Sequence, residues 1–202
     1  MTDKILFIDT ETGGIDPLES SLLSIGLVVW CENEILDSKE LFLNDGRLKV
    51  TKEALKVNKI NIETHRKKAL PSQQVITELI AFLRKHFDFN ESITLAGHNV
   101  NFDVNFLKFF LERNNQKFSN YFSHRIIDTS SILYYLYLSG KLKHRALSSS
   151  DAFSYFRIPV ENRHSALGDA VATAKLFTRL IQLMNKKLKS NIDDLTGQSS
   201  LF

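Results

Sequence analysis

The stretch FIDTETGG, Phe7 to Gly14, decides how this chain folds. The run that leads into it from Lys4 is mostly apolar and is typical of a buried strand, yet it ends on two carboxylates, Asp9 and Glu11. Side chains two positions apart on a strand point to the same face, so the two acids should lie side by side. Because like charges repel, such a pair calls for a cation beside it. The glycines that follow let the backbone turn and approach a ligand closely.

The remaining pattern predicts strands that are first consecutive and then separated by helices, which indicates an α/β or α+β domain with a mixed sheet. The predicted strands are Lys4–Asp9, Leu22–Trp30, Ile35–Leu43, Ile93–Gly97 and Arg125–Asp128, with Glu32-Asn33 as a hairpin turn. The predicted helices are Thr51–Val57, Ser72–Phe87, Phe102–Glu112, Ser130–Leu138, Leu147–Phe156 and a long closing helix after Ser165.

Length and composition predict one domain in a reducing compartment. The chain has 202 residues, of which 43% are hydrophobic, enough for one sizeable core. Its single cysteine excludes an internal disulfide, and it has neither a membrane-spanning run nor a signal-peptide pattern, so we expect a cytoplasmic protein without membrane contact. We expect a domain over residues 1–189 and a flexible polar tail over residues 190–202.

Charge is distributed unevenly along the chain. Residues 1–50 carry 4 Lys and Arg against 10 Asp and Glu, a net charge of −6, whereas residues 51–202 carry 22 against 13, a net charge of +9. An acidic segment on a basic body is consistent with an anionic partner held near a carboxylate site. Ordinary solvated surface explains the same numbers equally well.

Two further stretches place acids at predicted helix starts. Asp103 lies in AGHNVNFDVNFL (residues 96–107), and Asp169 lies in HSALGDAVATA, which begins at His164. Taken singly, each acid could simply complement a helix dipole, and the histidine could be an ordinary loop residue. Taken together with Asp9 and Glu11, they form an oxygen-rich ligand set that suits Mg²⁺ or Mn²⁺.

The chemistry that such a set supports is hydrolysis of a phosphodiester. Two divalent ions roughly 3.5–4 Å apart can activate a water and stabilise the leaving oxygen. A histidine can take the proton from that water near neutral pH, and His164 is the candidate base.

The three motifs, in this order and at these separations, resemble those of the DEDDh family of 3′–5′ exonucleases, which includes the proofreading subunit of bacterial DNA polymerase III, ribonuclease T and oligoribonuclease. The resemblance covers roughly residues 4–185 and implies a ribonuclease-H-like fold with a mixed five-stranded sheet flanked by helices. It implies that Asp9, Glu11, Asp103 and Asp169 bind two divalent metals and that His164 is the general base. Five helical steps separate the histidine from Asp169, so His164 should lie on a loop ahead of the helix.

The resemblance also implies a set of substrate contacts. Phe102 could equally be a core residue, and many family members have glycine where this chain has Lys59. The residues implied to contact the terminal nucleotides are Thr10, Thr12, Gly13, Val57, Ile60, His98, Asn99 and Phe102.

The tail ends in the apolar pair Leu201-Phe202. With Gln198, the ending resembles the short peptide by which bacterial replication and repair proteins bind the sliding clamp, although a frayed or folded-back tail is an equal alternative.

Three functions follow as hypotheses. The first is a 3′–5′ exonuclease that releases 5′-mononucleotides from single-stranded DNA in proofreading or repair, with a DNA polymerase as a possible partner. The second is an RNA-trimming enzyme on the same fold, which differs in accepting the 2′-hydroxyl. The third is a non-catalytic module that tethers partners to a clamp, although the full set of acids argues against it.

Overall fold

A six-stranded mixed sheet forms the centre of the fold in the computed structural model, which describes residues 3–145 and 148–197. The spatial order is β4-β3-β2-β1-β5-β6. Strands β1, β2 and β3 pair antiparallel, whereas β5 runs parallel to β1 and to β6, and β4 runs parallel to β3. The strands are β1 (Ile5–Thr12), β2 (Leu22–Cys31), β3 (Glu34–Asn44), β4 (Leu70–Pro71), β5 (Ile93–Gly97) and β6 (Phe122–Asp128).

The predicted α/β fold with a mixed sheet is confirmed, and the strand count of five is wrong by one. The additional strand, β4, has only two residues, too few to carry a period-two pattern that a sequence could reveal. The predicted hairpin is confirmed: Glu32 and Asn33 both adopt positive φ, as the tightest hairpin turns require.

Helices cover both faces of this sheet. Alternate residues of β1 divide between them, because Leu6 and Ile8 pack with α3 and α4 while Phe7 packs with α7. A third apolar cluster joins α5 and α6 to α7. The helices are α1 (Lys52–Asn58), α2 (Ile62–Lys68), α3 (Ser72–His86), α4 (Asn101–Arg113), α5 (Thr129–Leu138), α6 (Ser149–Tyr155) and α7 (Ala166–Gly197).

Helix α7 is anchored on β2 by the only tryptophan of the chain, Trp30. Its indole N–H donates to the Thr178 hydroxyl at 2.8 Å, and its ring meets the Phe177 ring edge-on with centroids 5.2 Å apart. The buried residues Ala170 and Ala174 let the helix lie close to the strands. The first turns of α7 are thereby held against the centre of the sheet.

Two elements differ from the predictions. Helix α2 was not predicted, and it is stabilised by an Asn61 cap and by a hydrogen bond between His65 and the Leu43 carbonyl. Helix α7 continues to Gly197, whereas the sequence predicted a flexible tail from residue 190, and that boundary stays a prediction. Extending an existing helix costs little, since each added residue forms one further hydrogen bond.

Among the described residues, no helix is both long and apolar enough to cross a membrane.

Candidate active site

Three carboxylates meet at the end of β1 on the face that α7 covers. Oxygens of Asp9, Glu11 and Asp169 all lie within 4.8 Å of one another. Asp9 and Glu11 share a face because they are two apart on β1, and Asp169 lies in the first turn of α7. This set of hard oxygen donors fits a divalent cation such as Mg²⁺ or Mn²⁺.

Gly26 on β2 allows Asp169 to reach the strand end. Gly26 pairs with Asp9 across the ladder, and a Cβ built on it would lie 2.2 Å from the Ala166 carbonyl oxygen. The start of α7 therefore lies directly on the backbone of β2. Ser165 stabilises this start, because its hydroxyl accepts a hydrogen bond from the Gly168 amide at 3.0 Å.

Asp103 reaches the site from the other face of the sheet. It lies in the first turn of α4, is 5% exposed, and accepts a hydrogen bond of 2.7 Å from the Thr10 hydroxyl. Thr10 lies between Asp9 and Glu11 on β1, so its side chain points to the α4 face. Asp103 is thus beside the group of three acids and is oriented by Thr10.

Burial and repulsion between carboxylates raise the pKa values of Asp9, Glu11 and Asp103. For Asp9, burial is the main cause and the carboxylates of Asp103, Asp169 and Glu11 add to it. Burial also raises the pKa of Glu11 to about 8 and that of Asp103 to about 7. Concentrated negative charge of this kind is relieved by a bound cation.

Arg163 supplies a positive charge at this cluster and was not singled out in the sequence. Its Nη1 donates to Asp169 Oδ1 at 2.5 Å, and its Nη2 donates to the hydroxyls of Ser149 and Ser150 on α6. The guanidinium also lies 5.3 Å from the centroid of the Phe153 ring. The position next to His164 in the chain was the only signal available.

His164 lies on the loop ahead of α7, as the spacing predicted. Its backbone is left-handed, with φ of 69°, and its side chain is half-buried. It lines a cavity of about 440 Å³ together with Glu11, Ile60 and Glu40. The candidate base therefore faces the same space as one of the clustered acids.

Glu40, on β3, is a second residue that the sequence did not reveal. Among the described residues, its buried Oε1 has no hydrogen-bond partner. Burial raises its pKa, although hydrogen bonds from the Leu167 and Ala166 amides and from Ser24 oppose the rise. Its carboxylate thus meets the N-terminal turn of α7, just after His164.

A second cavity, of about 510 Å³, lies on the other side of Glu11. Several of the predicted substrate residues line it, and three exposed apolar side chains, Ile15, Val57 and Phe102, form much of its wall. Phe102 is 37% exposed, which favours a binding role over pure core packing. The lining residues predicted from sequence are Thr10, Thr12, Val57 and Phe102.

Gly13 lines neither of these two cavities. Its amide donates to the Ser21 carbonyl and its carbonyl accepts from the Thr51 amide, so its backbone is used within the fold. A Cβ at this position would lie 2.1 Å from the Lys49 carbonyl oxygen. The close approach that requires glycine here is to Lys49, and the contact of Gly13 with a terminal nucleotide stays a prediction.

His98 and Asn99 lie further along the same end of the sheet. His98 Nδ1 is 3.0 Å from the Thr129 hydroxyl, and the Asn99 amide donates to Asp128. Asn99 lines a third cavity, of about 340 Å³, beside α5. The structure places these two predicted substrate residues next to α5 rather than at the cavity lined by Thr10, Thr12, Val57 and Phe102.

Lys59 adopts the left-handed conformation that glycine favours, with φ of 57° at the end of α1. The turn between Val57 and Ile60 therefore forms without glycine. Gln198, Leu201 and Phe202 lie outside the described residues.

The chain matches the family model RNase_T, described as exonuclease, over residues 6–177. It is 30% identical to Ribonuclease T of Wigglesworthia glossinidia brevipalpis, with 89% of this chain and 85% of that protein covered. It is 26% identical to a DNA polymerase III PolC-type of Thermotoga petrophila over 89% of this chain, which spans only 12% of that polymerase.

Solved structures share the fold. E. coli exonuclease I in complex with a dT13 oligonucleotide superposes with a TM-score of 0.76 at 13% identity, over 93% of this chain and 43% of that one. The nuclease domain of 3′hExo, a DEDDh family member bound to rAMP, gives a TM-score of 0.72 at 17% identity, over 90% and 92% of the two chains.

Proposed function

The chain belongs to the exonuclease family that the RNase_T model describes, and on that premise we propose that it releases 5′-mononucleotides from single-stranded 3′ ends of DNA. The observation that carries the proposal is the acidic cluster of Asp9, Glu11 and Asp169, whose Glu11 lines two cavities. One cavity is largely apolar and suits a terminal nucleotide. The other holds the candidate base.

The residues fit a pair of divalent cations, which Asp9, Glu11, Asp103 and Asp169 would hold. When bound, such ions lower the pKa of water and neutralise charge on a phosphodiester. The contribution of the chain is to concentrate carboxylate oxygens at one strand end, where a bound cation relieves the repulsion that helps to raise the pKa values of Asp9 and Glu11. Thr10 holds Asp103 in place through its hydroxyl.

His164 would accept the proton of the attacking water at an imidazole nitrogen. Its loop position and partial exposure allow the ring to turn toward Glu11 and the cluster. General-base catalysis of this kind typically contributes about 10²–10⁴ in rate.

The apolar wall of the larger cavity supports sequence-tolerant binding. A base can stack on the exposed Phe102 ring or rest against Val57 and Ile15, and none of these side chains can read base identity by hydrogen bonding. The enzyme should therefore accept any terminal base.

RNA is the second candidate substrate. The relative called Ribonuclease T supports RNA, whereas the PolC-type polymerases support DNA. The two substrates differ at the 2′-hydroxyl, so matched oligonucleotides separate them. We propose DNA first because several relatives are named as DNA polymerases.

The test is hydrolysis of 5′-labelled DNA and RNA of one sequence with Mg²⁺, Mn²⁺ or chelator. We expect a ladder that shortens from the 3′ end, faster with DNA, and no reaction with chelator. Asp9→Ala should abolish hydrolysis and His164→Ala should reduce it about 10²–10⁴-fold. Asp88→Ala, at an exposed loop acid, is the matched control and should retain full activity. Full activity of purified Asp9→Ala would overturn the metal-site proposal.

We also propose two protein partners, a DNA polymerase and a sliding clamp. The PolC-type relatives contain a matching segment within a polymerase chain, which supports a DNA polymerase as partner, and failure to co-elute with a polymerase would count against it. The clamp-binding peptide that includes Gln198, Leu201 and Phe202 stays a prediction. A free C-terminal peptide that shows no affinity for a sliding clamp would contradict it.

A further inference from the structure

Helix α5 exposes an unusual number of aromatic side chains beside the candidate active site. Tyr134 is 41% exposed, and Tyr135, Tyr137 and Leu138 are also exposed large side chains of this ten-residue helix. Tyr155 on α6 lies exposed as well. Large apolar or aromatic groups left in water on neighbouring elements commonly mark a binding surface.

Positive charge accompanies these rings. The Arg145 guanidinium lies 5.3 Å from the Tyr134 ring centroid, and the His144 ring lies 6.0 Å from that of Tyr155. Residues 139–160 contain four Lys and Arg against the single acid Asp151. The surface is therefore aromatic and basic, which is the composition that binds single-stranded nucleic acids.

A cavity of about 340 Å³ adjoins Tyr134. It is lined by Asn99, Ser130, Ser131 and Ser148 in addition to the tyrosine. Its hydroxyl protons are already committed, because Ser130 donates to Asp128 and Ser148 donates to Asp151. The remaining lone pairs accept hydrogen bonds, which suits the N–H groups of a base better than a phosphate.

A chain of hydrogen bonds through α6 connects the wall of this cavity to the acidic cluster. Ser148 caps this helix, and the next two residues, Ser149 and Ser150, accept hydrogen bonds from Arg163, which also holds Asp169. On the opposite wall, Asn99 follows directly from β5, the neighbour of β1. A nucleic-acid strand that leaves the acidic cluster can therefore follow this end of the sheet to Tyr134.

We propose that Tyr134 and Arg145 form a second nucleic-acid subsite, which holds a nucleotide upstream of the 3′ terminus. A base stacks on Tyr134 above the hydroxyl-lined cavity, while Arg145 binds an adjoining phosphate. The proposal rests on the proposed function, because it takes the terminal nucleotide to lie at the acidic cluster. A protein partner is disfavoured by the net positive charge and by the hydrogen-bonded connection to that cluster.

The test is fluorescence anisotropy of 5′-fluorescein dT12 with the full chain in Ca²⁺. Loss of a stacking residue typically weakens binding about 5- to 150-fold, and we expect this for Tyr134→Ala. Tyr134→Phe keeps the ring and should bind as the wild type does. Leu36→Ala is the control and should bind as the wild type does, because Leu36 is 50% exposed on β3 and lies outside this surface.

Salt dependence separates the two residues. Arg145→Ala should lower the slope of log K against log[salt] by about 0.7, the value for one phosphate contact on a single strand. Tyr134→Ala should weaken binding without changing this slope.

Unchanged dT12 affinity in both Tyr134→Ala and Arg145→Ala would overturn the subsite and leave a protein contact as the better explanation of this surface. If the wild type binds dT12 but hydrolyses no oligonucleotide, the proposed function fails while the binding data still decide the subsite.

Discussion

The Arg163 side chain gives the acidic cluster its nearest positive charge among the described residues. It lowers the pKa values of Asp9 and Glu11, although burial and the neighbouring carboxylates outweigh it. The guanidinium competes for the same oxygen of Asp169 that a metal ion would use. Arg163 therefore stabilises the metal-free protein and opposes metal binding.

We expect Arg163→Gln to lower the free energy of unfolding in EDTA by about 1.5–3 kcal/mol, the usual contribution of a hydrogen bond to a charged group. The same change should tighten Mn²⁺ binding, measured by calorimetric titration. Arg179→Gln is the matched control, since Arg179 is exposed on α7 and bonds only to Gln182 among the described side chains. Equal losses of stability in the two variants would contradict this role.

Lys59 bears a conformational cost that its position imposes. An L-residue in the left-handed region loses roughly 1–2 kcal/mol, part of which glycine would return through a more flexible unfolded chain. We expect Lys59→Gly to raise the free energy of unfolding in urea by about 0.5–1 kcal/mol. Lys56→Gly, in the helical part of α1, should instead lower it by about 0.5–1 kcal/mol. A destabilised Lys59→Gly would show that the side chain contributes more than its backbone costs.

At the scale of single residues, the sequence revealed the residues of the candidate site only where acidic residues and a histidine cluster in short motifs. Asp9, Glu11, Asp103, Asp169 and His164 stand in motifs that could be read directly. Arg163 and Glu40 act through contacts with α6 and with the start of α7, and such contacts depend on how the elements pack.

Elements meet at Gly26, where α7 lies on the backbone of β2. A methyl group here would collide with the Ala166 carbonyl, which cannot rotate away as a side chain could. The displacement would move the loop with His164 and the first turn with Asp169 together.

We expect Gly26→Ala to cost about 1–3 kcal/mol of stability, as overpacking usually does, and to weaken Mn²⁺ binding as well. Val29→Ala on the same strand is the control. Val29 packs on the opposite face of the sheet, so its truncation leaves the contact between α7 and β2 intact. Gly26→Ala protein that binds Mn²⁺ as tightly as the Val29→Ala protein would contradict this account.

Long amphipathic elements and most short ones were predictable, whereas the two-residue strand β4 and helix α2 were not. Helix α3 begins at Ser72 and α7 at Ala166, as the apolar periodicity and the Ser165 cap predicted. Helix α2 has one turn of basic residues and no apolar stripe, so only its contact with Leu43 reveals it. Tertiary contacts override weak local signals in such segments.

At the scale of the whole molecule, the sheet brings acids that are about 160 residues apart to one end of β1. This arrangement stores electrostatic repulsion, because the folded protein concentrates charges that the unfolded chain spreads out. Its consequence is a stability that depends on pH and on divalent ions.

Stability of the metal-free protein should fall as pH rises from about 5 to 8. The pKa of Glu11 rises from 4.5 to about 8 on folding, and that of Asp103 rises from 3.8 to about 7. The folded state therefore binds more protons than the unfolded state in this window, and the stabilisation present below it is lost as the acids ionise.

Thermal unfolding in EDTA across this range measures the effect. Glu11→Gln should flatten the dependence, and Mn²⁺ should reverse it, because a bound cation favours the ionised carboxylates. A Tm in EDTA that is constant or rises between pH 5 and 8 would contradict the repulsion.

The mixed sheet flanked by helices and the meeting of the three motifs at one site were predictable as a whole, since the family resemblance implied both. How the site residues divide between the two faces of the sheet could not be predicted. Because side chains alternate between the two faces along β1, the Thr10 hydroxyl points to the α4 face, where it binds Asp103. The six-stranded order shows which helix covers each face.

The single indole of the chain sits where β2 meets α7, hydrogen-bonded to Thr178 and packed on Phe177. Its emission spectrum is therefore an optical reporter of one event, the seating of the helix that carries Asp169. Undocking of that helix would hydrate the indole and shift its fluorescence to longer wavelength. Looser packing of α3 on the other face of the sheet would leave the emission wavelength unchanged.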